Sequence, residues 1–194
     1  MYKRQSFILA STEWVYGNLC ADLINEDNKP NLLELNSAYA KSKLICEQIL
    51  QSRSDEGIKN IIFRFGIIYG RRRFGHTAFE SLIKNCMESS IVNIGCLKTS
   101  RRFINVDILS RVIIENFRDI NGGVYNLTSS SLITLENIIH ECELLLDKKI
   151  IINELSPEGA SIRNVYSKYE TFKNLDSRDL SEKIKELIDY FKND

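Results

Sequence analysis

Two apolar runs with a helix between them constrain this chain more than any other feature. Phe7-Ile8-Leu9-Ala10 and Ile61-Ile62-Phe63-Arg64-Phe65 are continuous rather than alternating, the pattern of parallel strands covered on both faces. Phe7 to Ala10 therefore reads as a central strand. Between the runs, Asn36 to Leu50 holds good helix formers, no Gly or Pro, and an Asn/Ser start able to cap a first turn. Strand, long helix, strand is a βαβ unit, and it makes the sheet parallel.

The helix carries the chemistry-bearing pattern. Ala38, Ile45 and Ile49 share one face, and Tyr39, Cys46 and Leu50 line the next, a wider stripe than one sheet requires. Tyr39 and Lys43 are spaced i, i+4, so phenol and ammonium lie one above the other. A cation beside a phenol favours the phenolate, and a tyrosine tuned in this way exchanges protons with an alcohol near neutral pH. Spacing alone does not single the pair out, because Tyr169 and Lys173 repeat it in a polar segment.

Around this unit the chain reads in order. Met1 to Gln5 is polar, looks like an expression scar and is set aside. Ser11-Thr12-Glu13-Trp14-Val15-Tyr16-Gly17 follows the first strand. Hydroxyls there sit where open α/β sheets bind ligands, although a plain polar turn has the same composition. Asn18 to Asn36 is loop-like. Arg71-Arg72-Arg73 follows the second strand's ending, Gly66 to Gly70, and is either a solvated basic turn or a phosphate clamp. A helix from Thr77 to Ser89, a strand from Ile91 to Gly95, a helix entered through Arg101–Asp107, a strand Val124–Leu127, a helix to Leu146, a strand Lys149–Asn153 and a closing helix from Ser181 to Lys192 complete the reading.

Composition excludes several classes. Net charge is zero, so no global basic field argues for nucleic acid or an anionic membrane. The five cysteines are scattered without a C-x-x-C, which disfavours a disulfide framework and suits a reducing, cytoplasmic setting. Two distant histidines give a metal centre little to build on. No apolar run reaches the ~18 residues of a membrane span, and no signal peptide is visible.

Taken together and in order, these segments resemble the extended short-chain dehydrogenase/reductase family, the NAD(P)-dependent epimerases, dehydratases and reductases of nucleotide sugars. Phe7–Thr12 before Val15-Tyr16-Gly17 is similar to the family's strand with its catalytic Ser/Thr. Tyr39-x-x-x-Lys43 is similar to its catalytic pair, Arg64–Gly70 to the next strand, Arg101–Asp107 to its Arg-Asp-aromatic element, and Gly123–Leu127 to the strand that follows. The resemblance implies an α/β fold: a partial Rossmann-like parallel sheet with a smaller carboxyl-terminal substrate-binding portion. Residues 1–75 would form the second part of the Rossmann-like domain and 76–194 mainly the substrate portion, with possible return strands. It implies Thr12 on the reacting oxygen, Tyr39 as acid/base and Lys43 on the cofactor ribose. Arg101 would hold the substrate diphosphate, with Arg163 and Arg72 as further substrate contacts. NAD or NADP would be the cofactor, a nucleotide sugar the substrate, and the full-length parent a homodimer.

Three departures shape the expectation. Dehydratases of this family carry an acidic pair after the threonine, but here the places hold Glu13 and Trp14, and a Trp abstracts no proton. An Asn common in the second strand's ending is Ile67. No Gly-x-x-Gly-x-x-Gly turn occurs anywhere, although a dinucleotide pyrophosphate normally rests on that turn. The expectation is a carboxyl-terminal part of an epimerase or 4-keto reductase that binds NAD(P) poorly by itself and associates, because Phe7–Leu9 becomes an exposed strand edge and the Ala38/Ile45/Ile49 stripe is partly uncovered. The alternatives are a split enzyme and a non-catalytic remnant or binding subunit holding a nucleotide sugar.

Overall fold

The computed structural model describes residues 6–17, 23–53, 58–71 and 75–193. Strand β1 (Ser6–Thr12) pairs in parallel with β2 (Lys59–Phe65), from Ser6 opposite Lys59 to Thr12 opposite Phe65. On its other side β2 pairs in parallel with β7 (Gly123–Leu127), giving the order β1-β2-β7. The parallel α/β fold is as expected, and so is the edge position of β1. β2 is the interior strand, with Ile61, Ile62 and Phe63 buried. Among the described residues β1 is an edge, and its Phe7 and Ile8 are 51% and 41% exposed. Only its end, Ser11 and Thr12, is buried.

Helix α1 (Ala38–Ser52) connects β1 to β2, starting where the Ser37 hydroxyl accepts the Ala40 N–H. Its inward face is Ala40, Leu44 and Glu47, not the Ala38/Ile45/Ile49 stripe, which faces outward. Ala40 and Leu44 share a core with Val15, Tyr16, Ile24, Leu35 and Val165. Glu47 turns the same face polar one turn later, and a buried charge there demands a partner.

The remaining elements form a second, mostly helical layer. Strand β3 (Ile67–Tyr69) pairs with β6 (Phe103–Asn105), β4 (Ile91–Ile94) with β9 (Ile151–Glu154), and β5 (Ser100–Arg101) with β8 (Ile133–Thr134). Helices α2 (Ala78–Glu88), α4 (Leu135–Leu146) and α6 (Leu180–Asn193) pack together through Phe79, Ile83, Ile138, Ile139, Ile184 and Leu187. Helix α3 (Val106–Asn116) lies against β6, and the short α5 (Glu170–Lys173) against β7. A buried charged cluster ties α6 to these strands. Asp176 accepts from the Tyr69 hydroxyl (3.1 Å) and the Asn105 N–H (2.9 Å), while the fully buried Lys183 donates to the Asp176 carbonyl (3.0 Å).

One glycine brings the two layers together near the carboxyl end of β1. At Gly66, between β2 and β3, a Cβ would lie 2.8 Å from the Arg102 carbonyl oxygen. No side chain fits there, so only glycine lets the arginine-bearing segment approach so closely. Among the described residues, no helix is long and apolar enough to cross a membrane.

Candidate active site

The site grows from the end of β1. Thr12 is buried, and its Oγ accepts the Trp14 N–H (3.3 Å), capping a 3-10 turn over Glu13–Tyr16. Gly17 ends that turn at φ 62° and donates to the Trp14 carbonyl (3.1 Å), a backbone conformation that suits glycine.

Two successive residues of β1 hold α1 in place. The Lys43 ammonium donates to the Ala10 carbonyl (2.8 Å), and the Ser11 hydroxyl donates to the Glu47 carboxylate. Lys43 and Glu47 are one helical turn apart, so neighbouring contacts on the strand become stacked contacts on the helix. Glu47 is in turn gripped by Arg64 of β2, whose Nε and Nη2 reach it at 3.1 and 2.6 Å. The Arg64 guanidinium lies 4.7 Å from the Tyr16 ring centroid, and the Tyr16 hydroxyl donates to Asn126 (3.0 Å). Tyr39 stands in the first turn of α1, 54% exposed, with the Lys43 ammonium 5.8 Å from its ring centre. Lys43 thus reaches the β1 backbone two residues before Thr12, and Tyr39 stands one helical turn from Lys43 on α1. The repeated spacing at Tyr169 and Lys173 has a different setting: Tyr169 packs on Tyr125, and Lys173 pairs with Glu170.

Beyond Thr12 the chain meets a cluster of arginines. Arg101, in β5, donates to the carbonyls of Ser100 (2.7 Å) and Ser161 and to the Ser161 hydroxyl (2.9 Å). Arg102 donates to Asn164 (2.9 Å) and to the carbonyls of Ser129 (3.0 Å) and Ser130. The Arg163 guanidinium stacks 4.8 Å from the Trp14 ring centroid, and its Nη1 is buried without a hydrogen-bond partner. Arg72 lies outside the described residues.

In the sequence Glu13 stood out only as the remaining acid of a dehydratase pair; it lies at the centre of this group. Glu13 is fully buried, and neither carboxyl oxygen has a hydrogen-bond partner. Burial pushes its carboxyl up to about 7, with Arg163, Arg101 and Arg102 pulling it back toward the charged form. Each guanidinium is pushed down by its own burial, and Glu13 opposes that shift. That place after Thr12 was the only signal in the sequence; the arginines that define its setting arrive from far along the chain.

Comparison with known proteins bears on the fold and the family. No curated protein matches the sequence. Among solved structures, the chain is similar to RMD from Pseudomonas aeruginosa complexed with NADPH (18% identity, TM-score 0.81, covering 98% of this chain and 67% of that one). It is similar to UDP-glucose 4-epimerase from Thermotoga maritima with UDP-glucose (19% identity, TM-score 0.80, 97% and 64%). A third is UDP-glucuronic acid 4-epimerase from Bacillus cereus with UDP-glucuronic acid and NAD (24% identity, TM-score 0.78, 97% and 62%). The chain spans roughly two-thirds of the length of these structures, and the likeness at such identities is one of fold. The model of the NAD dependent epimerase/dehydratase family matches residues 1–128, which takes in Thr12, Tyr39, Lys43 and Arg101. With more than half its length so matched, the chain belongs to the NAD dependent epimerase/dehydratase family.

Proposed function

We propose that this chain carries the proton-handling and diphosphate-binding residues of an enzyme that epimerises a nucleotide sugar or reduces its keto form. The observation that carries the reading is Lys43, with Tyr39 beside it on α1, donating to the Ala10 carbonyl of β1, while Glu13, the residue after Thr12, is set among Arg163, Arg101 and Arg102. In this reading Tyr39 moves a proton to or from the sugar hydroxyl and Thr12 hydrogen-bonds the same oxygen. Arg163, with a buried nitrogen to spare, meets the diphosphate. Arg101 shares that task, although three hydrogen bonds to Ser100 and Ser161 already hold it. Arg72 remains a further substrate contact on sequence grounds.

The residues present fit one end of a dinucleotide. Tyr39 is open to solvent, and the Lys43 ammonium, which gives one proton to the Ala10 carbonyl, has two left to give, which suits a ribose hydroxyl. Hydride transfer is the chemistry that a bound NAD or NADP supplies. A second reading is a nucleotide-sugar-binding chain without turnover.

Incubation of the chain, joined to a glycine-rich cofactor-binding half, with UDP-glucose and NAD, followed by product analysis, separates the two. The catalytic reading predicts turnover that Tyr39→Phe lowers by roughly 10²–10⁴-fold, the worth of a positioned acid–base. Binding of UDP-glucose with no turnover supports the second reading. Turnover unchanged in Tyr39→Phe contradicts the role given to Tyr39.

A further inference from the structure

We infer that Glu13 makes the arginine cluster a proton-linked anion site, at which the diphosphate of a nucleotide sugar binds together with a proton taken up by Glu13. The inference rests on the reading of these arginines as diphosphate ligands and adds to it a control by pH.

Three observations support it. Glu13 is wholly buried, and both its oxygens lack a hydrogen-bond partner. A buried carboxylate in that state is kept ionised only by neighbouring charge. The charged groups that act on it are Arg163 from the segment after β9, Arg101 from β5 and Arg102 directly after β5, all cationic. One of them, Arg163, has a buried nitrogen with no protein partner, stacked against Trp14 beside Glu13. The cluster therefore has a donor left for an anion and, among the described residues, one acid whose charge competes with that anion for it.

The sign follows from electrostatics. The diphosphate of a sugar nucleotide is a dianion across neutral pH. When it engages the guanidinium groups it weakens the attraction that keeps Glu13 ionised and adds like charge beside it, so the bound state favours the carboxylic acid. The acid form also has an O–H to donate to a phosphate oxygen. In the free chain Glu13 titrates at about 7. Below that pH it is already protonated, and affinity does not change with pH. Above it, binding draws a proton from solution, and affinity falls by up to about tenfold per pH unit until the bound-state midpoint is passed.

Calorimetric titration of the full chain with UDP-glucose tests this, using buffers of different ionisation enthalpy at about pH 7.5 and repeating the affinity at about pH 6 and 8.5. The expected result is proton uptake approaching one per ligand and an affinity loss on the order of tenfold across that range. Glu13→Gln should bind with no uptake and an affinity that does not vary with pH. Binding without proton uptake by the wild-type chain overturns the inference, and so does a Glu13→Gln variant that keeps the wild-type pH profile. The wild-type buffer comparison decides the matter even if that variant does not fold. Absence of binding at every pH overturns instead the reading of the arginines as diphosphate ligands, and the inference with it.

Discussion

At Glu13, burial and charge pull in opposite directions, and burial wins. The folded chain holds this carboxyl at about 7 against an ordinary 4.5. Between those values the folded state binds more protons than the unfolded one, so this group lowers stability as pH rises. Removing the charge should reverse the effect. Wild type and Glu13→Gln should be equally stable below about pH 4.5, and the variant should be the more stable by on the order of 3 kcal/mol above about pH 7. Chemical denaturation of both at several pH values checks this; a variant less stable than wild type at pH 8 would show that the arginines need the carboxylate more than the fold resents it. Tyr39 is the opposite case. It is legible in the sequence because its partner lies one helical turn away, whereas Glu13 takes its character from Arg163, 150 positions along the chain.

At the scale of elements, α1 is held to β1 by polar contacts as much as by packing. Ala10 and Ser11 engage Lys43 and Glu47, and Arg64 completes the buried pair from β2. Truncating Arg64 to Ala leaves Glu47 buried and unpaired, and this class of change costs about 3–5 kcal/mol. Replacing both residues by Met should cost far less, because no charge is then left alone. Equilibrium unfolding of the two variants tests the account, which predicts the large loss only for the single change. The strand–helix–strand unit itself was plain from two continuous apolar runs. The uncovered Ala38/Ile45/Ile49 stripe was expected as well; what was not legible is that the inward face of α1 carries the charged Glu47 beside Ala40 and Leu44. Periodicity ranks faces by apolarity, and an ion pair supplied by another strand lies beyond its reach. The same limit hid Asp176, whose partners come from β3 and β6, and Lys183, which donates to Asp176.

Over the whole molecule, the apolar surface left outside follows from those choices. Phe7 and Ile8 on the β1 edge, and Ile45 and Ile49 on α1, are all more than two-fifths exposed. A strand edge with free backbone groups and apolar side chains is a template for pairing, and exposed apolar patches drive association. Light scattering should therefore show concentration-dependent self-association, reduced by Phe7→Lys or Ile49→Lys. A monodisperse monomer at high concentration would indicate that these surfaces are harmless.

The central claim is that the cluster beyond Thr12 receives a nucleotide-sugar diphosphate. The direct measurement is calorimetric titration of UDP-glucose into wild type, Arg163→Ala, Arg101→Ala and the remote control Lys149→Ala. Loss of either clustered arginine should weaken binding by about 1.5–3 kcal/mol, the range for hydrogen bonds to charged groups, while Lys149→Ala should bind as wild type does. Equal affinity in all four proteins would contradict the claim.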